Sequence, residues 1–170
     1  MEESRQDVVN GKVLGNHRLW MTMTAIIDRT ESLLHSIYRT NDDLILHLDI
    51  DTIFRGDITS FMNITSNYDI GLRLRKLYPL SGFISIKNNS NGIKFIEKWL
   101  EEIYSEPVKD IINLVWGQLT LESVRLQYKD SMDMFEIIRE DWENTIDVWT
   151  TKKKNKDKIY EKLKRIYGDL

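Results

Sequence analysis

Apolar residues recur along this chain with two different periods. Trp20, Met23, Ile27, Leu34 and Ile37 step at helical spacing and predict an amphipathic helix over residues 17–39. After the turn "TNDD" comes a short strand, Leu44–Leu48, whose run L-I-L-H-L shows no alternation. Such a run predicts burial on both faces, the habit of a central parallel strand between helix layers. "RGDITSFMNI" reads as a turn and a short helix, with Asp57 or Thr59 as its cap. "YDIGLRL" and "LSGFISIK" read as two further strands, separated by a turn around Pro79. Asn89 or Ser90 is suited to cap a helix whose apolar positions Ile93, Ile96, Leu100 and Ile103 or Tyr104 step towards Pro107. "IINLVWGQLTLESV" predicts a helix despite Gly117, and "FEII" a last strand. The order of elements is α/β in character and implies a mixed sheet flanked by helices.

Composition narrows the class without naming a partner. At 170 residues the chain has the size of one domain able to bury a core. With 41% hydrophobic and 30% charged residues it falls outside the disordered and membrane-embedded classes. A net charge of -3 selects no ligand. The absence of cysteine excludes disulfides and thiolate metal sites, and it fits a reducing, cytoplasmic setting. The one shift in composition is the segment "TKKKNKDKIYEKLKRIYGDL", basic and with an apolar stripe at Ile159, Leu163, Ile166 and Tyr167. Three regions follow: a polar lead-in over residues 1–16, a domain over 17–150, and a basic amphipathic C-terminal helix over 151–170. That helix either packs on its own domain or makes peripheral contact with an anionic membrane. No nucleic acid partner is expected, since basic residues are not interleaved with stacking aromatics.

The chemistry concentrates in "DDLILHLDIDTIFRGDI", where an apolar strand ends on Asp49 and Asp51. Side chains two apart on a strand project to the same side, so these carboxylates converge if the chain stays extended through Ile50. In open α/β sheets ligands gather at the carboxyl ends of strands. Two carboxylates so close repel unless they share a proton or a cation. A hard divalent ion, Mg²⁺ or Mn²⁺, satisfies them with substrate phosphates and water completing its shell. A bare Asp-x-Asp also occurs as two solvated turn residues; the strand before this one and the glycine turn after it favour a site.

With its flanks, "LILHLDIDTIFRGDI" resembles the metal-binding segment of nucleotide-sugar glycosyltransferases of the GT-A fold. "YDIGLRL", "LSGFISIKNNSNGIKFIEKWLEEI", "WGQLTL" and "IREDWEN" are similar, in the same order, to later segments of that family, over roughly residues 18–145. The resemblance implies a GT-A-like mixed sheet flanked by helices. It implies transfer of a sugar from a nucleoside-diphosphate-sugar donor, with Asp49 and Asp51 holding the divalent cation. It further implies Arg29 facing the diphosphate, Ser81 and Gly82 approaching a sugar closely, and Gln118 as a weak candidate for contact with the reacting sugar. Three features depart from the family. Only one helix precedes the Asp-x-Asp strand, where the family has strands that hold the base, so a shortened domain or one completed by a second copy or subunit is expected. Gly117 replaces the acidic residue before Gln118. The late histidine is missing, the histidines being His17, His35 and His47; His47 is read as a hydrogen-bonded core residue.

Two other readings use the same residues. One is a non-catalytic binding or assembly subunit that retains the fold. The other is a phosphatase of the haloacid dehalogenase type, in which Asp49 would be the nucleophile. That pattern wants threonine or valine at position 53, where this chain has Ile53.

Overall fold

The computed structural model describes residues 17–49, 52–54, 58–75, 78–105, 116–138 and 148–150. The lead-in over 1–16, the basic segment over 151–170, the start of the helix expected over 111–124, and Asp51, Asp57 and Asn144 lie outside the described residues. The elements are α1 (His17–Arg39), β1 (Leu44–Leu48), β2 (Thr52–Phe54), α2 (Thr59–Thr65), β3 (Ile70–Arg75) and β4 (Tyr78–Lys87). They continue with α3 (Ser90–Ser105), α4 (Trp116–Tyr128), β5 (Met134–Ile138) and β6 (Val148–Thr150). Among the described residues, no helix is long and apolar enough to cross a membrane.

A four-stranded mixed sheet in the order β1-β4-β3-β5 organises the chain. β4 runs antiparallel to both of its neighbours, while β3 and β5 are parallel. Alternation along β3 and β4 sends Ile70, Leu72, Leu74, Ile84 and Ile86 to one face, where α1, α3 and α4 cover them. From α1 come Ile26, Leu33 and Ile37; from α3 come Phe95, Ile96, Trp99 and Ile103, all buried. Of the expected α3 stripe Ile96 and Ile103 are buried, Ile93 packs against the core only partly buried and Leu100 is half-buried, while Phe95 and Trp99 widen the buried face. Trp99 is fully buried and its indole N–H donates to Thr120 Oγ1 on α4 at 3.1 Å, so the polar end of this large side chain is satisfied. On the opposite face of the sheet Phe61 of α2 meets Phe83 of β4 edge to face, with centroids 4.9 Å apart. Leu46, Leu48, Ile58 and Phe135 pack round that pair.

Several expectations are corrected. β1 is not a central parallel strand buried on both faces; it is an edge strand, antiparallel to β4, and each of its residues is half-buried. Its apolar run is used on both sides all the same, with Ile45 in the helix-covered core and Leu46 and Leu48 against Phe61 and Phe83. Pro79 is not in a turn but near the start of β4, opposite Leu74 and beyond the point where β1 ends, so its missing N–H costs no bond to β1. The N-cap of α2 is Ile58, without a side-chain cap, so Thr59 does not cap it. β2 and β6 pair as a separate two-stranded ribbon that the sequence pattern did not announce. Asn89, by contrast, does cap α3: its Oδ1 accepts from the Gly92 N–H at 2.8 Å.

A polar clasp ties β3 to the start of α3 and to β5. The buried Asp69 carboxylate accepts from Asn89 Nδ2 at 2.7 Å, Asn91 Nδ2 at 2.8 Å and the Asp133 N–H at 3.2 Å. Burial by itself raises the carboxyl, but the donors from Asn89, Asn91 and Asp133, with Lys87 nearby, outweigh it and hold the group below its ordinary value. Because the folded value is the lower one, this stabilisation is complete above the ordinary value of 3.8 and fades as pH falls towards the depressed one. Asp69→Asn is expected to cost about 2 kcal/mol of unfolding free energy at neutral pH. The difference from the parent protein should shrink in acid, as read by denaturant melts on both sides of that value.

Candidate functional site

The carboxyl end of β1 lies beside the middle of α1. β1 continues its ladder one residue past its formal end, since the Asp49 N–H donates to the Gly82 carbonyl at 2.9 Å. Asp49 is thus held extended and directly opposite Gly82. A Cβ on Gly82 would stand 2.0 Å from Asp49 Oδ2 and 2.6 Å from its Cγ, so the carboxylate occupies the space that any other side chain would need. The close approach at Gly82 is to the carboxylate of the same chain.

Arg29 closes the arrangement from α1. Its Nη1 donates to the Ser81 carbonyl at 3.2 Å and to Ser81 Oγ at 3.0 Å, and its Nη2 stands 3.6 Å from Asp49 Oδ1. The Arg29 side chain keeps 23% of its surface exposed and that of Asp49 43%. An ion pair this long and this wet contributes little to stability, at most about 1 kcal/mol. The guanidinium is oriented chiefly by Ser81, and its charge remains available to an incoming anion. Four residues singled out in the sequence, Arg29, Asp49, Ser81 and Gly82, therefore come together from α1, β1 and β4.

Among the described residues, Gln118 makes no hydrogen bond or ion pair to these four. It is half-buried at the start of α4 and does not line the groove described below. Its neighbour Gly117 has a packing role: an added Cβ would stand 3.0 Å from Ile26 side-chain carbons, so glycine here lets α4 approach α1. Asp51 lies outside the described residues. Among the described residues no cluster of three or more His, Asp or Glu side chains is placed to hold a metal. Asp49 alone still suits a hard cation that takes one or two carboxylates and fills its remaining positions with phosphate and water. Between Asp49 and Thr52 the chain passes from the main sheet to the β2–β6 ribbon.

Sequence reasoning missed an open groove of about 480 Å³ between α1 and β1. One wall is a second stripe of α1, made by Ala25, Asp28, Arg29, Ser32 and Ser36. These positions share a helix face adjacent to the core stripe of Ile26, Leu33 and Ile37, and a helical wheel of residues 25–37 contains that signal. The other wall is β1 itself, through residues 45–49. His47, expected to be a hydrogen-bonded core residue, belongs to this wall, and its Nε2 is buried without a hydrogen-bond partner. Burial, reinforced by Arg29 and opposed by Asp49, lowers its tendency to take up a proton, so the ring is neutral at physiological pH.

No family model matches the chain, and neither a curated protein nor a solved structure is significantly similar to it.

Gly82→Ala probes the geometry directly. The new methyl must displace the Asp49 carboxylate, the end of a short side chain, while the backbone pairing of residues 49 and 82 can persist. The side-chain carboxyl resonance of Asp49 is expected to shift in a ¹³C NMR spectrum of the variant. Circular dichroism should stay that of the parent protein.

Proposed function

We propose that this chain is a GT-A-like, metal-dependent glycosyltransferase that transfers a sugar from a nucleoside-diphosphate-sugar donor. The observation that carries the reading is the convergence of Arg29, Asp49, Ser81 and Gly82 at the carboxyl end of one strand, beside an open groove. Cleavage of the donor's glycosidic bond leaves negative charge on the departing diphosphate. A divalent ion held by Asp49 and Asp51 would supply the charge that neutralises it. Arg29, anchored on Ser81 and only loosely engaged with Asp49, faces the same charge and is already oriented before the reaction begins. The Ser81 hydroxyl accepts from Arg29 and so orients it. Gly82 lets the backbone of β4 lie against the carboxylate.

A non-catalytic binding or assembly subunit is the second reading. It draws on Gly117, which stands where the family carries an acidic group and here serves helix packing. A phosphatase would instead release phosphate from simple esters and form a phospho-aspartate at Asp49.

Incubation with a panel of nucleoside-diphosphate sugars and Mn²⁺ separates these readings. Donor turnover is expected, and Asp49→Ala or Asp51→Ala should abolish it. Arg29→Ala should lower kcat by a factor on the order of 10² to 10³, the usual effect of removing one donor to a developing negative charge. Tight donor binding without any turnover would favour the assembly subunit, and the absence of both would contradict the proposal.

A further inference from the structure

Among the described residues nothing pairs with the outer edge of β1, and the hydrogen-bonding groups of that edge can be assigned. At one end of the strand the Asn88 N–H donates to the Asp43 carbonyl at 2.8 Å; at the other the Asp49 N–H donates to the Gly82 carbonyl at 2.9 Å. Residues 43 and 49 therefore turn their backbone groups towards β4. In an antiparallel ladder these directions alternate, so Ile45 and His47 also face β4, while Leu44, Leu46 and Leu48 face away from it. Among the described residues no strand pairs with that side. The strand itself carries none of the residues that usually protect an edge, since L-I-L-H-L contains no proline or lysine and pairs with β4 without a bulge.

The groove runs along this edge. Side chains on a strand alternate between faces, so a groove over one face would touch every second residue. Here all of residues 45–49 line it, which makes the wall the edge of the backbone. Ala25, Ser32 and Ser36 on the facing stripe of α1 are small and leave room beside it. Arg29 and Asp49 stand at one end.

Resting on the nucleotide-sugar reading, we propose that the free edge of β1 is the nucleobase subsite. The Leu46 carbonyl and the Leu48 N–H are consecutive outward groups, an acceptor followed by a donor. The edge of a nucleobase presents a donor and an acceptor on adjacent atoms and meets that pair in the plane of the strand. Leu46 lies roughly 10 Å along the strand from Asp49, at 3.3 Å per residue. That distance lets a nucleoside lie in the groove with its diphosphate at Arg29 and Asp49. The base would then be read by main-chain groups of the same strand that carries the acidic pair, with no further strands needed to hold it.

The test is an NMR titration of the ¹⁵N-labelled protein with Mg²⁺. The probes are inorganic pyrophosphate and, separately, the diphosphates of uridine, cytidine, guanosine and adenosine. The expected result is that pyrophosphate and at least one nucleotide perturb the Arg29 side-chain resonance. That nucleotide alone should also shift the Leu48 amide and slow its hydrogen exchange, and it should bind at least tenfold more tightly than pyrophosphate. If the nucleotides and pyrophosphate bind alike and Leu48 does not respond, the base subsite is overturned while the diphosphate site stands. If nothing binds, both fall. If the Leu44, Leu46 and Leu48 amides are already protected without ligand, a polypeptide strand occupies the edge and the subsite is overturned.

Discussion

The antiparallel register between β1 and β4 is the constraint on which the candidate site depends. It sets Asp49 opposite Gly82 and brings Ser81 within reach of Arg29. A slip of one residue would turn Ile45 away from the helix-covered core and Leu46 and Leu48 away from Phe61 and Phe83. The same hydrophobic partition that stabilises the sheet therefore fixes where the carboxylate points. Asn88 secures the other end of the pairing, donating from its side chain to the carbonyls of Thr40 and Asp42 and so fastening the α1–β1 turn to the end of β4.

Core and site differ in how tightly their groups are engaged. Trp99, Phe95, Ile84 and Ile86 are fully buried, and Asp69 and Arg125 have several partners each, Arg125 bridging Glu122 and Glu136. Arg29 and Asp49 are partly solvated and share one long ion pair. A ligand that enters there need not break a strong buried interaction. It meets an oriented cation and a carboxylate whose positions are maintained by the backbone ladder.

Much of this was legible in the sequence because it is local. The 3.6-residue period of α1 and the strands at 44–48 and 134–138 are set by neighbouring residues, and the Asn89 cap needs only the turn it closes. What was misread depends on distant partners. The unbroken apolar run of β1 signalled burial on both faces, and both faces are indeed used, but nothing in five residues tells a central strand from an edge strand. The β2–β6 ribbon joins segments almost a hundred positions apart and each only three residues long, too short to show a period. At the site, the resemblance selected Arg29, Asp49, Ser81 and Gly82, and their proximity is a property of the register. Gln118 was selected in the same way and is not among the residues that line the groove. The groove was not legible because its helix wall is the polar stripe of α1, which carries no apolar period, and His47, expected in the core, lines that groove instead.

The central claim is that Asp49, held against Gly82 and beside Arg29, helps to bind a divalent ion together with a nucleoside diphosphate. Calorimetric titration of Mn²⁺ into the protein, with and without a nucleoside diphosphate, tests it most directly. The account predicts saturable binding of one ion that tightens when the nucleotide is present and is lost in Asp49→Ala. Heats that do not saturate into the millimolar range with the nucleotide present, or binding that survives Asp49→Ala unchanged, would contradict it.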